Sequence, residues 1–95
     1  MYTQIIVSYD ISNTKKRTKF FEELKDIGLI PIQKSLFWGY VLASEKVIIK
    51  HLFKIYCDIK TDKAIMVNAS LDKDLKNSFG YEEDDFKHPN SFEII

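Results

Sequence analysis

Asp10 is the first side chain placed to do chemistry. It closes the run Gln4-Ile5-Ile6-Val7-Ser8-Tyr9 and stands just before the polar Ser12-Asn13-Thr14. A carboxylate there has two readings: an Asx turn that caps local backbone, or an oxygen ligand for a hard cation. Four cations follow it: Lys15, Lys16, Arg17 and Lys19. Cations at a helix N-terminus oppose the macrodipole at a cost of about 0.3–1 kcal/mol each. Their presence therefore also has two readings. They are long side chains turned to water, or phosphate contacts backed by helix N–H groups. Lys34 and the lysines further along are the next candidates for such contacts. One aspartate makes a poor magnesium site, because Mg²⁺ takes one or two carboxylates and keeps several waters. A homodimer whose two-fold axis passes near Asp10 would supply a second carboxylate. Such a site could activate water and polarise a phosphodiester. The metal and the dimer thus depend on each other.

The remaining chemically capable residues form no constellation. His51 and His88 have no spacing that suggests a metal pair or a nucleophile and its base. The single cysteine, Cys57, excludes an intrachain disulfide and a Cys-based zinc site, and fits a reducing compartment. Glu82-Glu83-Asp84-Asp85 lacks the glycine and the spacing of a calcium loop, and reads as a solvated stretch. Trp38 and Tyr40 suit either packing or stacking on bases. P-loop, dinucleotide and zinc-protease motifs are missing.

The elements that must position Asp10 and the basic run follow from patterning. In a chain of 95 residues and 11.2 kDa, there is room for one domain over 1–95 and not for two. Such a chain buries roughly 65% of its unfolded surface. Net charge is zero, yet residues 1–60 carry ten basic against six acidic side chains, and 61–95 four against eight. A basic part with an acidic tail is compatible with a nucleic-acid partner. No stretch approaches the ~20 apolar residues of a membrane span. The first residues lack the basic region of a signal peptide, so a cytoplasmic protein without membrane contact is expected.

Residues 4–10 read as a strand with Ile5, Val7 and Tyr9 on one face. Ser12, Asn13 and Thr14 are N-cap types. Phe20, Leu24 and Ile27, with Phe21 beside them, make an amphipathic helix of about 14 residues stopped at Gly28. Leu29 to Leu42 reads as two strands with a bend at Gln33-Lys34-Ser35, both faces of the second being apolar. Ser44 is expected to cap a second helix from Glu45 to about Ile59, with Ile48, Leu52, Ile55 and Ile59 as its stripe and Phe53 and Tyr56 widening it. Lys63 to Ala69 returns to strand. The order β-α-β-β-α-β predicts an α+β, ferredoxin-like fold, with helices on one face of an antiparallel sheet. A polar acidic connection, 72–90, then leads to a terminal apolar strand, 91–95, whose Phe92, Ile94 and Ile95 need a partner.

Taken in order, Ile6-Val7-Ser8-Tyr9-Asp10-Ile11-Ser12, Lys16-Arg17, the run from Gly28 through Gln33-Lys34-Ser35-Leu36-Phe37, Ala64-Ile65-Met66-Val67 and Ser91-Phe92-Glu93-Ile94-Ile95 resemble the small CRISPR-associated adaptation nucleases, the Cas-two family. The resemblance covers essentially the whole chain. It implies a ferredoxin-like homodimer in which the terminal strand of one protomer extends the sheet of the other. It implies a magnesium- or manganese-dependent endonuclease acting on RNA or DNA, with Asp10 as catalytic metal ligand facing its twin. It further implies a role in spacer acquisition, as the subunit that binds the CRISPR integrase. Two other readings share the fold: a non-catalytic DNA-binding scaffold of that complex, and a toxin-type ribonuclease working without an integrase. A regulatory domain for a small molecule finds no ligand loop in the sequence. Where Trp38-Gly39 stands, the family usually carries an acidic residue.

Overall fold

The structure, a computed structural model, describes residues 1–72 and 75–86. Strand β1 (Thr3–Asp10) leads into helix α1 (Thr14–Ile27), then β2 (Ile30–Gln33), β3 (Leu36–Val41), helix α2 (Ala43–Tyr56) and β4 (Lys63–Asn68), with a 3₁₀ turn at Glu83–Phe86. The sheet order is β2-β3-β1-β4 and every neighbouring pair is antiparallel. This is the ferredoxin-like split βαββαβ unit. Strand β1 lies inside the sheet, paired on both sides, and among the described residues β4 forms one edge.

The alternation in β1 decides which way the sheet faces. Ile5, Val7 and Tyr9 are buried and meet Phe20 and Leu24 of α1, Phe37 and Val41 of β3, and Ile49 and Leu52 of α2. Both helices therefore cover the same face. The Tyr9 ring meets Phe20 edge-on at 4.8 Å, a favoured aromatic geometry. Asn13 is the residue that caps α1, its side chain accepting the Lys16 N–H at 2.9 Å. At the other end Gly28 takes φ 115°, the left-handed conformation that glycine adopts without strain. The Leu29 N–H then reaches back to the Leu24 carbonyl at 3.2 Å, closing the helix as a Schellman-type end.

Helix α2 differs from the expectation in its limits and in its buried face. It begins at Ala43 and ends at Tyr56, so Ser44 lies inside the first turn and caps nothing. The Glu45 carboxylate supplies the cap instead, accepting the Leu42 N–H at 2.7 Å. Ile49 and Leu52 are buried, whereas Ile48, Ile55 and Ile59 are 48%, 47% and 97% exposed. The helix is apolar on nearly every side, through Val47, Ile48, Ile49, Leu52, Phe53, Ile55 and Tyr56, so periodicity fits more than one stripe. Contact with Phe20, through Phe53 and Tyr56, settles which stripe turns inward. Ile59 lies beyond the helix end.

Both faces of β3 are used, though unequally. Phe37 and Val41 join the core, while Trp38 on the open face is 8% exposed and Tyr40 55%. Phe86 covers Trp38 at a centroid distance of 5.3 Å, and the Trp38 indole N–H donates to Gln4 Oε1 at 2.8 Å. The described part of the acidic stretch thus folds back onto the sheet. The expected terminal strand with Phe92, Ile94 and Ile95 lies outside the described residues, as does His88.

Gly39 marks the tightest approach. A Cβ there would stand 2.7 Å from Leu29 Cδ2 and 3.3 Å from Leu29 Cα. Gly39→Ala is expected to destabilise the chain by about 1–3 kcal/mol, the usual cost of overpacking a core. Urea unfolding followed by circular dichroism checks it; an unchanged midpoint would mean that Leu29 moves aside freely.

Candidate functional site

Asp10 is the last residue of β1, exposed, and its Cα partner across the sheet is Lys63. It borders an open cleft of about 590 Å³ together with Ser8, Asp62 and Lys63. The strand ends here because Ile11 leaves the ladder to bury its side chain in the core, 1% exposed.

Two carboxylates line this cleft, and they are chemically unlike. Asp62 is fully engaged. Its Oδ1 accepts the Ser12 N–H at 3.0 Å, the Ser12 hydroxyl at 2.9 Å and the Thr61 hydroxyl at 3.1 Å, and its Oδ2 accepts the Asp58 N–H at 2.8 Å. The backbone N–H groups of Asp58 and then Ser12 hold its pKa down to about 2. An anion with its oxygens so occupied is a structural anchor. Among the described residues no three His, Cys, Asp or Glu side chains converge as a metal-holding group. The described chain thus offers this cleft a single carboxylate, Asp10, outside the Asp62 network.

The basic run divides in two. Lys15, Lys16 and Lys19 are exposed along α1. Arg17 is half-buried and turned back, donating from Nη1 to the Ile11 carbonyl at 3.0 Å and from Nη2 to Thr14 Oγ1 at 3.4 Å. Arg17 borders a second cleft, of about 230 Å³, with Tyr9, Lys34 and Ser35. Lys34, at the turn between β2 and β3, lines the same cleft as Arg17. Ser35 next to it takes φ 62°, an uncommon conformation for a residue with a Cβ. Burial pushes the Tyr9 hydroxyl pKa up, while the Ser35 hydrogen bond and the Arg17 charge pull it down. Cys57 is half-buried, and burial followed by the Asp62 charge pushes its thiol up, which disfavours the reactive thiolate. His51 stands exposed on α2, apart from both clefts.

Sequence reasoning missed Asp62, Thr61 and the bonds that Ser12 makes with Asp62. The available signal was the polar run Asp58-Ile59-Lys60-Thr61-Asp62 just before an apolar strand, a place where Asp and Thr commonly bond backbone. Nothing local says that the partner is Ser12, fifty residues away.

A family model described as CRISPR associated protein Cas2 matches residues 1–77. The CRISPR-associated endoribonuclease Cas2 1 of Francisella tularensis subsp. novicida (strain U112) is 38% identical over 85 residues, covering 88% of this chain and 87% of that one. The CRISPR-associated endoribonuclease Cas2 of Desulforudis audaxviator (strain MP104C) is 36% identical over 75 residues, 77% of this chain and 68% of its own. That of Korarchaeum cryptofilum (strain OPF8) is 34% identical over 73 residues, 77% of each. Among solved structures, the hypothetical protein TT1823 from Thermus thermophilus superposes with a TM-score of 0.64 at 21% identity, over 74% of this chain and 84% of that one. At that identity the likeness speaks for the fold alone.

Proposed function

The chain belongs to the Cas2 family of CRISPR-associated proteins, and on that premise we propose that it is a metal-dependent endonuclease, RNA being the first substrate to test. The observation that carries this reading is Asp10 at the open end of the inner strand β1, exposed beside a cleft and followed by exposed lysines. The relatives named above are called endoribonucleases.

Asp10 suits Mg²⁺ or Mn²⁺ as one hard oxygen ligand, open enough for a hydrated ion. A divalent cation bound there supplies Lewis-acid polarisation of a phosphodiester and a more acidic water. The chain's own contribution is placement. Asp10 holds the ion, and Lys15, Lys16 and Lys19, with Lys34, bind flanking phosphates. Cations set along a backbone read no bases, so recognition is independent of sequence.

The reading includes a homodimer that brings two Asp10 carboxylates together. Support comes from the edge strand β4, whose Ile65 and Val67 are 57% and 40% exposed on the open sheet face. Among the described residues the outer edge of β4 is unpaired; such an edge is a template for another strand, and 91–95 of a second copy is the proposed occupant. It also includes a role in spacer acquisition with the CRISPR integrase as partner. Within that role a scaffold that holds duplex DNA without cutting is the second reading, favoured by the single available carboxylate per protomer.

The test is direct. The full chain is incubated with single-stranded RNA and with duplex DNA, in Mg²⁺, in Mn²⁺ and in chelator. Cutting that requires the metal is expected; no cutting under any condition would leave the scaffold.

Binding makes its own prediction. Lys15→Glu with Lys16→Glu is expected to weaken nucleic-acid affinity alike on unrelated sequences. It should also flatten the salt dependence, each lost phosphate contact removing about 0.9 from the log–log slope on duplex DNA. Arg17 is left intact in this test because its guanidinium is bonded to the Ile11 carbonyl. An unchanged anisotropy titration would move the contact surface to Lys34 and α2.

A further inference from the structure

Between the end of β1 and the cap of α1, Ile11 and Ser12 belong to neither element. The last register pair of the strand is Asp10 with Lys63, and the helix cap is Asn13. The Ile11 carbonyl and the Ser12 N–H are two ends of one peptide unit. Arg17 Nη1 holds the carbonyl at 3.0 Å, and Asp62 Oδ1 holds the N–H at 3.0 Å, with the Ser12 hydroxyl on the same oxygen at 2.9 Å. A cation thus grips one end of the peptide and an anion the other, each through a charge-assisted hydrogen bond of the stronger kind. Asp62 is itself fixed, since its Oδ2 accepts the Asp58 N–H at 2.8 Å while Asp58 Oδ1 accepts the Lys60 N–H at 2.8 Å.

We propose that Asp62 and Arg17 are positioning residues for Asp10, acting together on the Ile11–Ser12 peptide that immediately follows it. The inference rests on reading Asp10 as the catalytic carboxylate. The clamp begins where the ladder stops, so it replaces the missing strand partner and fixes the backbone that carries Asp10 out of the sheet. It also sets the first turn of α1, and with it the lysines, relative to that carboxylate. Asp62 does this from the α2–β4 loop without entering the proposed chemistry.

The test uses the full chain with the substitutions Asp62→Asn, Arg17→Lys and both together, beside Asp10→Ala. Asn keeps the shape of Asp but cannot accept on both sides, so either the Ser12 or the Asp58 N–H faces an amide NH₂. Metal-dependent cleavage by Asp62→Asn is expected to fall about tenfold or more in kcat with KM changed less than about twofold, because displacement of a reacting group costs rate before binding. The double variant should lose little more than the worse single one, since both act on one peptide. All rates are taken well below each variant's thermal midpoint, so that loss of folded protein does not mimic loss of placement. Should Asp62→Asn cut like wild type while Asp10→Ala does not cut, the clamp is overturned and the nuclease reading stands. Should Arg17→Lys and Asp62→Asn lose rate in proportion, independently of each other, the shared-peptide account is overturned. If wild type does not cut, the nuclease reading fails, and Mn²⁺ binding by electron paramagnetic resonance decides the clamp. Weaker Mn²⁺ binding in both Asp62→Asn and Asp10→Ala upholds it as a device for holding the ion. Equal binding in wild type and Asp62→Asn, or none in wild type, overturns it.

Discussion

Asp10→Ala is expected to abolish metal-dependent cleavage while leaving the fold intact. The carboxylate is exposed at a strand end and takes no part in the core, so its removal leaves no cavity. Circular dichroism and the thermal midpoint should match wild type, and light scattering should report the same assembly. Cleavage in Mg²⁺ should fall to the level seen in chelator, because Asp62, the other carboxylate of the cleft, is held by hydrogen bonds from Ser12, Thr61 and Asp58. If the Ala variant cuts as fast as wild type, Asp10 is not the site and the cut belongs to another group or to a contaminant.

Removal of residues 91–95 is expected to convert a dimer into monomer or aggregate. The described residues supply the reason for expecting a partner. Strand β4 is the sheet edge, and Ile65, Val67 and Tyr40 expose apolar surface on the face that the helices leave open. The terminal Phe92, Ile94 and Ile95 form an apolar run beyond a polar stretch. A strand added to an edge contributes main-chain hydrogen bonds and side-chain burial together. Sedimentation or light scattering at several concentrations decides between the outcomes. A truncated chain that stays a stable dimer would place the interface on the open sheet face alone. Loss of the dimer should carry cleavage with it if two Asp10 carboxylates are needed for one ion.

These expectations draw on two kinds of information, and the boundary between them is physical. Local pattern was enough for β1 and α1. Alternation in β1 selected Ile5, Val7 and Tyr9, the i, i+4 spacing placed Phe20 and Leu24 inward, and Gly28 ended α1 where a left-handed residue was needed. The order of the elements was enough for the ferredoxin-like topology, because short connections and right-handed crossovers leave few alternatives. Asp10 at a strand end followed by lysines was likewise legible, since both sit within one contiguous stretch.

What the sequence could not determine is whatever depends on a partner far along the chain. Helix α2 carries apolar residues all round, so only packing against Phe20 could turn Ile49 and Leu52 inward and leave Ile48 and Ile55 outside. Arg17 looked equivalent to its lysine neighbours. Its forked guanidinium, unlike an ammonium, reaches the Ile11 carbonyl and Thr14 together, which ties it to the local backbone. Nothing in the local sequence singles out Asp62, yet β4 pairing beside β1 carries its carboxylate to Ser12, fifty positions away, where backbone N–H groups fix it as an anion. Hydrophobic periodicity reports what a residue's neighbours in sequence require; hydrogen-bond acceptors are satisfied by whatever the tertiary fold brings within about 3 Å of them.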